Sequence, residues 1–155
     1  MFDILVYLFE TYYQPDACPA PEVLARKLSA AGFEQDDISA ALEWLSGLER
    51  LAEVEVEHEG RPAGPRSLRL YCATELAKLP VQCRGFLVFL ENAGGIDAML
   101  REMIIERAMV LPETTVSLSK LKIIVLMVMW RRHQAVDTLL LEELLSEEED
   151  QPYVH

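Results

Sequence analysis

A chain of 155 residues is the size of one domain or two small lobes, and at that length about 68–70% of the unfolded surface can be buried without disulfides or metals. Fourteen basic residues against 26 acidic give a net charge of −12, with acids in excess on both sides of Cys72. Neither half is a basic module, so counterion release gives no general help to nucleic-acid binding.

Cys18, Cys72 and Cys83 are odd in number and widely spaced, with no C-x-x-C pair, so they point to neither a disulfide framework nor a zinc site. The stretch Met1 to Glu10 lacks a basic n-region, and Asp3 interrupts its apolar run, which does not suit a signal peptide. A soluble, cytoplasmic protein in a reducing compartment is expected.

The first helix is expected from Asp3 to Tyr13, with Ile4, Leu5, Leu8, Phe9 and Tyr12 on one face and Asp3 as its cap. Pro21 opens a second helix at a first helical position, Leu24, Leu28 and Ala31 form its inner stripe, and Gly32 stops it. The third helix begins in Phe33 to Ile38 with acids in its first turn, where the macrodipole favours them. Ile38, Ala41, Leu42, Leu45 and Leu48 share its apolar face.

After Gly47 the period changes to two: Ala52, Val54 and Val56 alternate with Glu53, Glu55 and Glu57, the pattern of a half-buried strand. Ser67 to Tyr71 alternates in the same way, and Gly60 to Pro65 is rich in Gly and Pro, so a hairpin is expected. Three helices and a hairpin follow the order of a winged helix-turn-helix, whose third helix reads the major groove. Its charges oppose that use: Glu34, Asp36, Asp37 and Glu43 lie on this helix, and no Lys or Arg stands between Glu34 and Leu48.

Thr74 to Leu79 makes a short helix stopped by Pro80. Another carries Cys83, Phe86, Leu87 and Leu90 at helical spacing and ends at Gly94-Gly95. Gly85 inside it costs about 1 kcal/mol relative to Ala, for which close approach of another helix is the expected reason, with Arg84 beside it to pair across the contact. Cys83 is expected to be a small buried residue and not a reactive thiol.

Asp97 caps the next helix, which continues to Leu111 with Leu100, Met103, Ile104 and Ala108 inward. Ser117 caps a helix that is apolar without a break from Ile123 to Trp130, with Val116 and Leu121 placed as a hydrophobic staple. A helix apolar on every side must be buried, and charged flanks hold the run far below the ~18 residues of a membrane span. Val136 to Ser146 is expected as a last, leucine-rich helix, followed by a solvated acidic tail.

The fold expected is therefore mainly α. A winged-helix-like N-terminal lobe over residues 1–72, three helices plus a β-hairpin, packs on a C-terminal helical bundle over 73–155. There is no glycine-rich phosphate loop, G-x-S-x-G or H-E-x-x-H, and His58, His133 and His155 are too dispersed to suggest a metal site. No catalytic residue, cofactor or metal ligand is assigned, and an enzyme is not expected.

Met1 to Tyr12, Ala31 to Phe33, Ala41 to Leu45, Arg69 to Tyr71, Cys83 to Glu91, Arg101 to Arg107 and Leu121 to Val128 resemble the bacterial Smg protein family. They span nearly the whole chain in the family's order. The resemblance implies a proteobacterial protein without an established biochemical activity and without catalytic residues to carry over. Its genes often neighbour those of a DNA-processing protein of natural transformation and of DNA topoisomerase, a context that points toward DNA metabolism. Ile123 and Trp130 depart from the family's expected Trp and Phe, which shifts the aromatic ring within an apolar stretch.

The function expected is that of a non-enzymatic protein-interaction or regulatory adaptor that binds through the acidic face of the third helix, with Glu34, Asp36, Asp37 and Glu43 as candidate residues, through the hairpin tip or through the terminal leucine helix. The alternative is a nucleic-acid-binding winged-helix protein using Arg61, Arg66 and Arg69 on the wing. A protein partner is expected and a membrane is not, and Leu139, Leu140 and Leu144 are candidate contacts for a homo-oligomer.

Overall fold

The computed structural model describes residues 1–12, 19–57, 71–132 and 142–144, with the backbone alone over 52–57. Its helices are α1 (Phe2–Thr11), α2 (Pro21–Ala30), α3 (Gln35–Glu57), α4 (Ala73–Lys78), α5 (Val81–Asn92), α6 (Ala98–Met109) and α7 (Leu118–Arg131). A further helical turn covers residues 142–144.

The all-helical architecture corrects the expected wing. Residues 52–57, expected as its first strand, continue α3, which is 23 residues and so about 34 Å long. Among the described residues there is no strand, and residues 67–70 of the expected second strand lie outside them. The alternation of Glu with Val competes here with a helix already nucleated over Gln35–Leu51. Each added residue gains a backbone hydrogen bond without a new nucleation cost, Ala and Glu favour the helix, and Val costs well under ~1 kcal/mol. A lone two-stranded hairpin, by contrast, is marginal in water.

The helix ends follow the local chemistry. Pro21 occupies the first turn of α2, where its missing N–H goes unneeded. Gly32, at φ +102°, closes that helix in a Schellman turn: Phe33 N–H donates to Leu28 O and Gly32 N–H to Ser29 O. Gly94, at φ +76°, does the same for α5, with Gly95 N–H donating to Leu90 O and Gly94 N–H to Glu91 O. Asp97 Oδ1 accepts from Leu100 N–H at 2.8 Å and Ser117 Oγ from Lys120 N–H at 3.3 Å, so both expected caps form. Asp3 does not cap α1; Met1 holds that position and Asp3 lies in the first turn.

The core is organised on α7. Leu121 and every residue from Ile124 to Trp130 are buried, and α6, α1 and α5 pack around them. Phe9 of α1 meets Trp130 edge to face at 6.3 Å. Arg101 of α6 reaches back to both carboxylate oxygens of Glu91 at 3.0 Å, tying α5 to α6. Buried side chains from both halves of the sequence belong to one cluster, which α2 and α3 join through Leu24, Leu28, Ile38, Ala41, Trp44 and Leu48. Leu144 lies within it, 1% exposed, so it is spent inside the chain and is not a surface contact for another subunit; Leu139 and Leu140 fall outside the described residues. No helix among the described residues is long and apolar enough to cross a membrane.

Lys122 carries a charge into this core. Lys122, 2% exposed, donates to Glu143 Oε1 at 3.1 Å and lies 5.8 Å from the Phe86 ring centroid. Its four-carbon stem fills volume among apolar neighbours while its ammonium meets the carboxylate, so stem and charge contribute separately. Lys122→Met, which keeps the volume, is therefore expected to alter the unfolding free energy by less than ~1.5 kcal/mol. Lys122→Ala, which opens a cavity, is expected to cost ~2–5 kcal/mol, the two being compared by urea unfolding.

The connection from α6 to α7 is fastened by side chains. Lys78 Nζ donates to the carbonyls of Met109, at 2.8 Å, and Leu111, a cation on the open C-terminal end of α6. Val116 N–H donates to Lys78 O, and Cys83 Sγ lies 3.3 Å from Val116 O. Burial pushes the Glu113 carboxyl up, but its own backbone hydrogen bond, Lys120 at 3.1 Å and Lys78 together bring it below its ordinary value. A carboxyl lowered by folding stabilises the fold above its unfolded value, 4.5, and loses that contribution as pH falls through its lower folded value. Glu113→Gln is accordingly expected to be less stable than the parent at neutral pH. The gap should close on acidification below about pH 4.5, as followed by thermal melts across pH.

Candidate functional site

Glu34, Asp36, Asp37 and Glu43 are all exposed and accompany the start of α3. At 3.6 residues per turn, Asp36, Ala40, Glu43, Gly47 and Arg50 follow one stripe, while Asp37 turns toward α1. The Met1 ammonium lies 3.7 Å from Asp37 Oδ1. The structure thus brings the four acidic residues onto one end of one helix. The arginines expected on the wing, Arg61, Arg66 and Arg69, lie outside the described residues.

The acidic stripe runs into a cleft of about 410 Å³ between α3 and the C-terminal end of α6, lined by Ala40, Glu43, Gly47, Arg50, Arg107 and Val110 among others. Its floor is a reciprocal clasp. Trp44 Nε1 donates to Arg107 O at 3.2 Å, and Arg107 Nη1 donates to Trp44 O at 3.0 Å, with the guanidinium carbon 5.8 Å from the indole centroid. Glu106 Oε2 accepts from Arg107 Nε at 2.7 Å. Arg107 is 7% exposed and Trp44 5%, so these polar atoms are satisfied inside the protein and hold α3 against α6.

The clasp depends on Gly47. A Cβ at that position would sit 2.9 Å from the Arg107 guanidinium carbon and closer still to Nη1. Sequence reasoning placed Gly47 at a change of period and gave Arg107 no role. The available signal was a glycine inside a strong helical pattern, three residues after a tryptophan and therefore on the same face.

The arrangement offers binding surface. Burial pushes the Cys83 thiol up to about 11, and its sulfur lies 3.3 Å from the Val116 carbonyl oxygen, so it is buried as expected; Cys72 is exposed. Among the described residues no group of three His, Cys, Asp or Glu side chains could hold a metal ion.

The chain matches, over residues 1–155, the family described as a protein of unknown function, DUF494. It is 54% identical to the Smg homolog of Azoarcus sp. (strain BH72), covering the full length of both. It is 53% identical to that of Bordetella pertussis over 96% of each chain, and 48% identical to that of Methylibium petroleiphilum over 97% of each. The chain belongs to the Smg family. No solved structure matches it.

Gly→Ala inside a helix ordinarily stabilises by up to ~1 kcal/mol. At Gly47 the sign is expected to reverse. Gly47→Ala must displace the Arg107 guanidinium from Trp44 O and leave a buried donor or acceptor unsatisfied, at a cost of ~1–3 kcal/mol. Chemical denaturation measures the sign, and pairing the substitution with Arg107→Met should recover most of the loss.

Proposed function

We propose that this protein is a non-enzymatic adaptor that binds a basic segment of another protein along the acidic start of α3. The observation that carries this reading is the exposure of Glu34, Asp36, Asp37 and Glu43, with no Lys or Arg between Glu34 and Leu48, Asp36 and Glu43 lying on the stripe that leads into the cleft over the Trp44–Arg107 clasp. A run of like charge on an exposed helix attracts an oppositely charged partner, sets its orientation and raises its association rate. The adjoining cleft supplies apolar wall from Ala40 and Val110 for a side chain of that segment. The clasp beneath it ties α3 to α6 through two hydrogen bonds. The same carboxylates oppose a nucleic-acid backbone on this helix.

Reversing Asp36 and Asp37 to Lys, with Glu43→Lys as a third change, is expected to weaken partner capture from the native host by tenfold or more while leaving the helical circular dichroism unchanged. Capture by the parent protein should fall as salt rises. Quantitative crosslinking and mass spectrometry read both effects, and capture indifferent to charge reversal refutes the acidic face as the contact.

A further inference from the structure

The helical turn at residues 142–144 reaches the core at two points. Leu144, 1% exposed, joins the apolar cluster, and Glu143 Oε1 accepts from the Lys122 ammonium at 3.1 Å. Lys122 is buried on α7 while Glu143 is half-exposed, so the carboxylate reaches inward from the surface to a cation fixed in the core. Lysine at such a place is a poor choice for stability alone. A buried ion pair adds little over an apolar pair of the same volume, whereas losing one partner leaves an uncompensated buried charge; the best-attested use of a buried polar group is to fix register. The sequence that meets Lys122 needs fixing. Five of the seven residues from Leu139 to Leu145 are leucine, so the gain from burying a leucine is the same in several alignments.

We propose that Lys122 is a register selector: it seats the C-terminal part of the chain only where a carboxylate directly precedes a leucine, and so admits Glu143-Leu144 and excludes the neighbouring leucines. Sliding the chain back by three or four residues, or forward by one, again puts a leucine in the place of Leu144, namely Leu141, Leu140 or Leu145. Each of these slips also sets a leucine, Leu140, Leu139 or Leu144, against the ammonium where Glu143 belongs. Sliding back by one or two puts Glu143 or Glu142 into the apolar site instead. Beyond α7 the step from an acidic residue to leucine occurs once, at Glu143-Leu144. An unpaired buried charge shifts an equilibrium by a factor on the order of 100 or more, well beyond what separates one buried leucine from another. The ammonium thus turns a site that accepts any leucine into one that accepts a single pair of residues.

Thiol labelling reads the register in a Cys18→Ser/Cys72→Ser background of the full chain, Cys83 being buried. Leu144→Cys is expected to label slowly while Lys122 is present and about tenfold faster or more with Lys122→Met, which keeps the volume and removes the selection. The unfolding equilibrium constant of Lys122→Met should nonetheless stay within about tenfold of the parent's. Leu139→Glu with Glu143→Ala moves the acid–leucine step one helical turn toward the N-terminus and should move the register with it, so that Leu144→Cys labels fast and Leu140→Cys slowly. Equal protection of Leu144→Cys with and without the Lys122 charge, or protection that stays at Leu144→Cys in the relocated variant, would overturn the proposal. Fast labelling at both positions in that variant would do the same, since the segment would then be released and not reseated. A loss of stability beyond about a hundredfold in Lys122→Met would make the charge a prop of the core and not a selector.

Discussion

Enclosing α7 is the constraint from which the rest of the fold follows. A helix with buried side chains from Ile124 to Trp130 has no face it can give to water, so it must be surrounded. α6, α1 and α5 surround it, and the chain has to return to it repeatedly from distant points in sequence. Each enclosing helix consequently has an inner face fixed by α7 and an outer face that is free to vary. α3 is further out, held by α1, α2 and α6, and this is why its exposed side can carry charge without disturbing the core.

The polar contacts inside the protein follow from the same requirement. Wrapping several helices around one leaves helix ends and chain crossings against apolar surface, where an unmade hydrogen bond costs ~1–3 kcal/mol. Lys78 on the end of α6, Arg101 between α6 and α5, and the Trp44–Arg107 clasp between α3 and α6 each stand at such a crossing. They bind elements that α7 alone would only gather. The exception in kind is Lys122, whose charge is drawn into the core itself and met by Glu143.

Most of this organisation was legible where a local rule acts alone. Pro21, Gly32, Gly94, Asp97 and Ser117 do what their backbone preferences and side-chain oxygens dictate, and the seamless apolar run announces burial. The failure came where two local rules conflict. Residues 52–57 alternate like a strand but are built of Ala, Glu and Val, and a helix already under way at Leu51 settles such a segment by propagation. The winged-helix expectation rested on that alternation and falls with it. Arg107 was illegible for a different reason: in sequence it is one of many charges on an apolar-patterned helix, and only the approach of Gly47, 60 positions away, shows that it is buried.

Gly47 and Gly85 make the last step. In sequence they are the same signal, a glycine that weakens an otherwise strong helix, and close packing is the ordinary reason for tolerating the loss. The fold answers the first: α6 brings a guanidinium into the space where a side chain would be. It leaves the second open, on a face whose other members are valine and phenylalanine. At Gly85 no described residue lies within 4 Å of where a side chain would begin. The exposed acidic start of α3 and the uncharged outer face of α5 are thus distinct surfaces of this family member.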